Sequence, residues 1–177
     1  PVATPAAEVA DESPAAIVIP AEVTEPTLVH IWTRSKEAGD TTGMSAGIAI
    51  DPFSRIWICN QKDGSLDIFD RDGNKLSHIA AGLGSEPDQW NWQIGTMGVG
   101  SNWLSCSIAF APDGTAYVTD GGNQRIKVLA PDGTLKSTWS TDVPSLPELE
   151  GPVWISRLQD GEFLITDWAS QDVIRRF

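Results

Sequence analysis

The stretch "SIAFAPDGTAYVTDGGNQRIKVLAPDGTLKSTW", residues 107–139, decides how the rest of the chain is read. Two of its runs, "TAYVTD" and "RIKVLA", alternate between apolar and polar residues, "TLKSTW" follows an Asp-Gly turn as a further strand, and "SIAF" is almost continuously apolar. Alternation rich in β-branched and aromatic residues marks half-buried strands, and a short unbroken apolar run marks a strand buried on both faces. Asp113-Gly114 and Asp132-Gly133 stand between runs, where glycine supplies the positive φ of a tight hairpin. The stretch therefore predicts four consecutive antiparallel strands.

Working outward, "GIAIDPFSRIWICNQKDGSLDIFDRDGNKLSHI" (47–79) aligns beneath it without gaps, at a constant offset of sixty. Ile48 falls on Ile108, Pro52 on Pro112, Asn60 on Asp120 and Asp72-Gly73 on Asp132-Gly133. A third copy, "GPVWISRLQDGEFLITDWASQDVIRRF" (151–177), sets Asp167 on Asp120 and carries one extra residue at its last strand. "TLVHIWT" (27–33) matches "TLKSTWS" (134–140) and reads as an orphan fourth strand. Four antiparallel strands recurring every ~45 residues are the signature of a β-propeller blade; a spacing of sixty is a blade plus an insertion.

The expected organisation follows: a Pro/Ala/Glu tether over 1–26, a closing strand over 27–33, and a blade over 47–80. An insertion over 81–105, a second blade over 106–140 and a partial blade over 151–177 complete it. The fold class is all-β, with three blades' worth of four-stranded antiparallel sheet. Propellers typically have ~4–8 blades, so the chain is expected to form half of a six-bladed propeller. Either a second copy, with each chain lending its N-terminal strand, or further sequence would complete it.

Composition narrows the partners. Asp plus Glu number 24 against 12 Lys plus Arg, a net charge of −12, which argues against nucleic-acid phosphates and anionic membrane surfaces. No apolar run approaches the ~20 residues of a membrane span, so tethering through the N-terminal segment is expected rather than membrane insertion. Such a tether suits a secreted, periplasmic or cell-surface protein. Cys59 and Cys106 lie in apolar runs without metal-type spacing; this favours buried thiols over a disulfide without deciding between them.

The second copy resembles the NHL-repeat family. It carries the family's run of apolar strand, Pro-Asp-Gly turn, strand ending in Asp120, then Asn123 and Arg125 before the next strand and the Asp132-Gly133 turn. The first copy departs with Asn60 and Phe53-Ser54; the third keeps Asp167 but has Ser170 and Asp172 for Asn and Arg. The resemblance implies a propeller. It implies no one function, since such proteins include protein- and RNA-binding scaffolds, while others resemble lyases and lactonases that hold a metal at the central channel.

Asn60, Asp120 and Asp167, one per blade, are candidate oxygen ligands for Ca²⁺ on the axis. The competing role is structural: Asp120 accepting hydrogen bonds from loop N–H groups and from Arg125. His30 and His78 fall in outer strands, away from any channel. Trp90, Trp92 and Trp103 in the insertion are candidate anchors for a protein partner or for stacking on a sugar, against a role in filling the space between wedge-shaped blades. The expected function is a non-catalytic, NHL-like module for protein binding or assembly, with a protein partner or a second copy and no cofactor. The alternatives are a metal-dependent lyase or lactonase, or carbohydrate binding through the insertion.

Overall fold

The structure, a computed structural model, describes residues 45–61, 63–97, 101–104, 106–140, 151–167 and 173–176. The expected tether, closing strand and His30 lie outside these residues. The first sheet runs in chain order through β1 (Ser45–Ile50), β2 (Ile56–Asn60), β3 (Ser65–Phe69) and β4 (Lys75–Ala80). Next comes a two-stranded sheet of β5 (Gln93–Met97) and β6 (Ser101–Leu104). The second four-stranded sheet comprises β7 (Ile108–Phe110), β8 (Ala116–Asp120), β9 (Arg125–Leu129) and β10 (Leu135–Trp139). The third has three described strands, β11 (Pro152–Arg157), β12 (Phe163–Asp167) and β13 (Val173–Arg176). All pairings are antiparallel. Within the insertion, Gln93–Met97 and Ser101–Leu104 thus pair as antiparallel strands.

One turn geometry recurs. After β1, β3, β7, β9 and β11, the residue that opens the turn donates its N–H to a carbonyl four residues on. The same residue's carbonyl accepts from the N–H three residues on, as in Ala111 N to Thr115 O (2.9 Å) and Gly114 N to Ala111 O (2.9 Å). This is a three-residue hairpin loop whose last residue is left-handed. Gly73, Gly114, Gly133 and Gly161 fill that position with φ of 86°, 83°, 90° and 100°, and Ser54 fills it with φ 63°. An Asp secures each turn, for example Asp113 accepting from Thr115 N at 2.9 Å and Asp51 from both Phe53 N (2.9 Å) and Arg55 N (2.8 Å).

Strand alternation gives each blade two faces, and the blades stack face to back. The rear face of the first blade (Trp57, Cys59, Leu66, Ile68) packs on the front face of the second (Ala116, Val118, Leu129). The rear face of the second (Ala109, Ile126) packs on the front face of the third (Ile155, Phe163, Ile165). Aromatic pairs tighten both seams: Trp57 meets Phe110 with ring centroids 5.4 Å apart, and Tyr117 meets Phe163 at 4.5 Å.

At the first seam Cys59 and Cys106 form a disulfide, with Cα atoms 6.4 Å apart. This corrects the expectation of free thiols. The two residues are 47 apart in sequence, so only the stacking of blades brings them together. The second seam has a weaker contact at the same repeat position: Thr119 Oγ1 donates to the Val153 carbonyl at 3.3 Å.

Candidate functional site

Asp120, at the end of β8, is fully buried and anchors a polar cluster. Its Oδ1 accepts from the Asn91 N–H (2.6 Å), its Oδ2 accepts from Arg125 Nε (2.6 Å), and Asn123 Nδ2 lies within 3.2 Å of both oxygens. These donors in turn grip the chain segment that precedes the blade. Arg125 Nη2 donates to the carbonyls of Glu86 (2.8 Å) and Gln89 (2.7 Å), Asn123 Nδ2 to that of Gly84 (2.9 Å), and Gly122 N to that of Asn91 (2.8 Å). An anion binds a guanidinium, and the guanidinium is thereby aimed at backbone carbonyls. The arrangement clamps residues 84–91 onto the second blade.

Lys127 completes the clamp, and sequence reasoning missed it. In "RIKVLA" it alternates as an ordinary outward-facing lysine, yet it is buried on the front face. Its Nζ donates to the Gln89 carbonyl at 2.5 Å and lies 3.9 Å from the centroid of the Trp90 ring, a cation–π contact. Burial pulls its pKa down to about 8, against the upward pull of the Asp120 carboxylate. The residue at this repeat position in the first blade is Asp67, also buried, which accepts from Lys75 Nζ (3.0 Å) and lies 2.7 Å from His78 Nδ1. The charge at one repeat position is reversed between blades.

The three metal candidates end equivalent strands: Asn60 β2, Asp120 β8 and Asp167 β12. All three are buried. The inner strands β1, β7 and β11 border a cleft of about 380 Å³, whose polar lining includes Asp51, Ser156 and Arg157 but none of those three residues. Asp51 is itself engaged, accepting from Arg55 Nε (2.6 Å) and Trp57 Nε1 (3.0 Å). Burial raises its pKa, but the hydrogen bonds from Arg55 and Trp57 outweigh this and hold the carboxyl below its usual value. Among the described residues no group of three or more His, Cys, Asp or Glu side chains is placed to hold a metal ion.

The insertion tryptophans require a correction. Trp90 and Trp92 are 2% and 1% exposed and belong to the first seam's core. They stack on each other with centroids 5.2 Å apart, so neither presents a face to a sugar or a partner. The i, i+2 spacing in "WNW" fits a surface pair as well as a buried one, and only the seam decides. Trp103 lies in β6, opposite Ile94, and its side chain is outside what is described.

Among the described residues, four exposed large apolar side chains, Ile48, Ile50, Trp154 and Ile174, lie on the two blade faces that no other described blade covers. Ile48 and Ile50 stand on the front face of the first blade, 70% and 68% exposed, whereas Ile155, the third-blade counterpart of Ile48, is 5% exposed. On the rear face of the third blade Trp154 and Ile174 are 64% and 66% exposed. Leu66 and Ile126, which hold the ladder position of Ile174 in the other blades, are fully buried.

No protein-family model matches the chain, and no curated protein matches it. Solved structures do. A catalytically inactive virginiamycin B lyase from Staphylococcus aureus with quinupristin is 14% identical, with a TM-score of 0.50 over 81% of this chain and 44% of that one. Hydrazine synthase from Kuenenia stuttgartiensis is 16% identical, with a TM-score of 0.46 over 81% of this chain and 37% of that one. A streptogramin B lyase structure is 15% identical, with a TM-score of 0.37 over 80% of this chain and 56% of that one. The chain spans less than two thirds of each. At such identity the likeness to the S. aureus lyase concerns fold alone, and with the three stacked antiparallel sheets it establishes the chain as a run of β-propeller blades.

Proposed function

We propose that this chain is a non-catalytic, NHL-like propeller module for protein binding or assembly. One observation carries the reading: the first and third blades keep seam-type apolar residues, Ile48 and Ile50 on one and Trp154 and Ile174 on the other, with no described blade against them. Apolar surface of this kind is favoured to be buried by association. The clamp around Asp120 spends its polar groups on the chain's own backbone, in keeping with a structural role for the repeat's Asp, Asn and Arg. The disulfide between blades supports an oxidising location, secreted or periplasmic.

The test replaces Ile48 and Ile174 by Asp, separately and together. Each change is expected to lower either the binding of a hydrophobic dye, if the faces are open, or the assembled mass, if they are covered. Circular dichroism should stay unchanged. Variants identical to the parent in both readouts would refute the assembly reading. The metal-dependent lyase or lactonase alternative makes the opposite forecast for elemental analysis: one Ca or Zn per chain retained through purification, where the module reading expects none.

A further inference from the structure

The two uncovered faces are not alike; they are the two halves of one seam. Ile48, Ile50, Ile56 and Ile58 occupy the repeat positions of Ile108, Phe110, Ala116 and Val118, which form the front side of the first seam. Trp154, Leu164, Thr166 and Ile174 occupy the ladder positions of Ser107, Tyr117, Thr119 and Ile126, on the rear side of the second seam. The described blades thus expose one front face and one rear face, and in both seams between them a front face is covered by a rear face. From this complementarity we infer that the occupant of each open face is a second copy of this chain, bound head to tail, so that two chains close one ring. The inference rests on the assembly reading above and names its partner.

Two sets of the three described blades make six, within the ~4–8 at which propellers close. A front-to-rear contact is heterologous, so it either closes a ring or continues as an open filament, and two copies joined by two identical seams are the closed solution.

The disulfide supplies a direct test, because it marks where the two sides of a seam touch. Cys59, Thr119 and Thr166 share one repeat position, and Ala46, Cys106 and Val153 share another. Cys59 is bonded to Cys106 across the first seam, and Thr119 donates to the Val153 carbonyl across the second. Across the inferred seam Thr166 of one copy therefore meets position 46 of the other. Ala46→Cys and Thr166→Cys single variants, each made in the full chain, are purified and mixed under mild oxidation. Neither alone should cross-link; the mixture should yield a covalent species of twice the chain mass on a non-reducing gel. The double variant should stop at that mass, with both bridges made.

Sedimentation of the parent chain accompanies the gel. A ladder of higher species from the double variant would overturn closure by two copies. A monomer at every concentration, without cross-linking in the mixture, would overturn the second copy as occupant. If Ile48→Asp still lowers dye binding of that monomer, the assembly reading survives with a different partner; if it does not, both readings fall.

Discussion

Ser54 holds a left-handed backbone (φ 63°) in the turn position that Gly73, Gly114, Gly133 and Gly161 fill elsewhere. A side chain there brings Cβ against the following carbonyl, at about 1–2 kcal/mol. Ser54 is exposed, so glycine would remove the strain without opening a cavity, while its freer unfolded chain offsets part of the gain. Ser54→Gly is expected to stabilise the protein by up to about 1 kcal/mol, read as a higher urea midpoint at unchanged slope; a lower midpoint would show that the serine makes a compensating contact. At this scale the sequence was informative wherever geometry is local. Asp-Gly pairs announced four of the five turns, and the Pro52 alignment exposed the fifth. It was silent on Lys127 and Asp67, since a lysine and an aspartate in alternating strands read as solvent-facing until Gln89 and Trp90 cover the one, and Lys75 and His78 the other.

Each seam joins a strand of one blade to the entry segment of the next, and the two seams use different chemistry at the same point. Cys59–Cys106 closes a loop with a sequence separation of 47, whereas Thr119 and the Val153 carbonyl share one hydrogen bond. Transplanting the second solution into the first, as Cys59→Thr with Cys106→Val, should keep the fold, because both residues are already accepted at those positions. It should cost about 2–4 kcal/mol, mainly through the freed unfolded chain. The expected result is a lowered denaturation midpoint that no longer responds to reductant, while the parent's midpoint falls on reduction toward that of the variant; equal midpoints for oxidised parent and variant would show that the disulfide contributes nothing. Blades were legible as elements because alternation and turns repeat at a fixed offset. The disulfide was not, because pairing depends on which face meets which, and cysteine spacing along the chain carries no trace of that. The pairing of β5 with β6 was hidden because Ile94 and Met97 lie three apart and glycine interrupts the run, so no period of two marks a strand there.

At the scale of the molecule, the first and third described blades each leave one face without a described neighbour, and pairing of two copies through those faces should make stability depend on concentration. Burying Ile48, Ile50, Trp154 and Ile174 only in the pair links folding to association, so the native state gains from mass action while the unfolded chain does not. A tenfold rise in protein concentration adds about 1.4 kcal/mol per dimer, which for a body of this size raises the melting temperature by roughly 2 °C. Calorimetric scans over two decades of concentration are expected to show that rise in the parent. They should show none in the Ile48→Asp/Ile174→Asp variant, in which charges sit on both sides of each inferred seam. The first and last blades should also be the least protected from hydrogen exchange in that variant, because their inner strands lose cover on one side. The second blade, covered on both faces within one chain, should keep its protection. A parent whose melting temperature is independent of concentration, and whose three blades exchange alike in both proteins, would show that the open faces are stable as they stand.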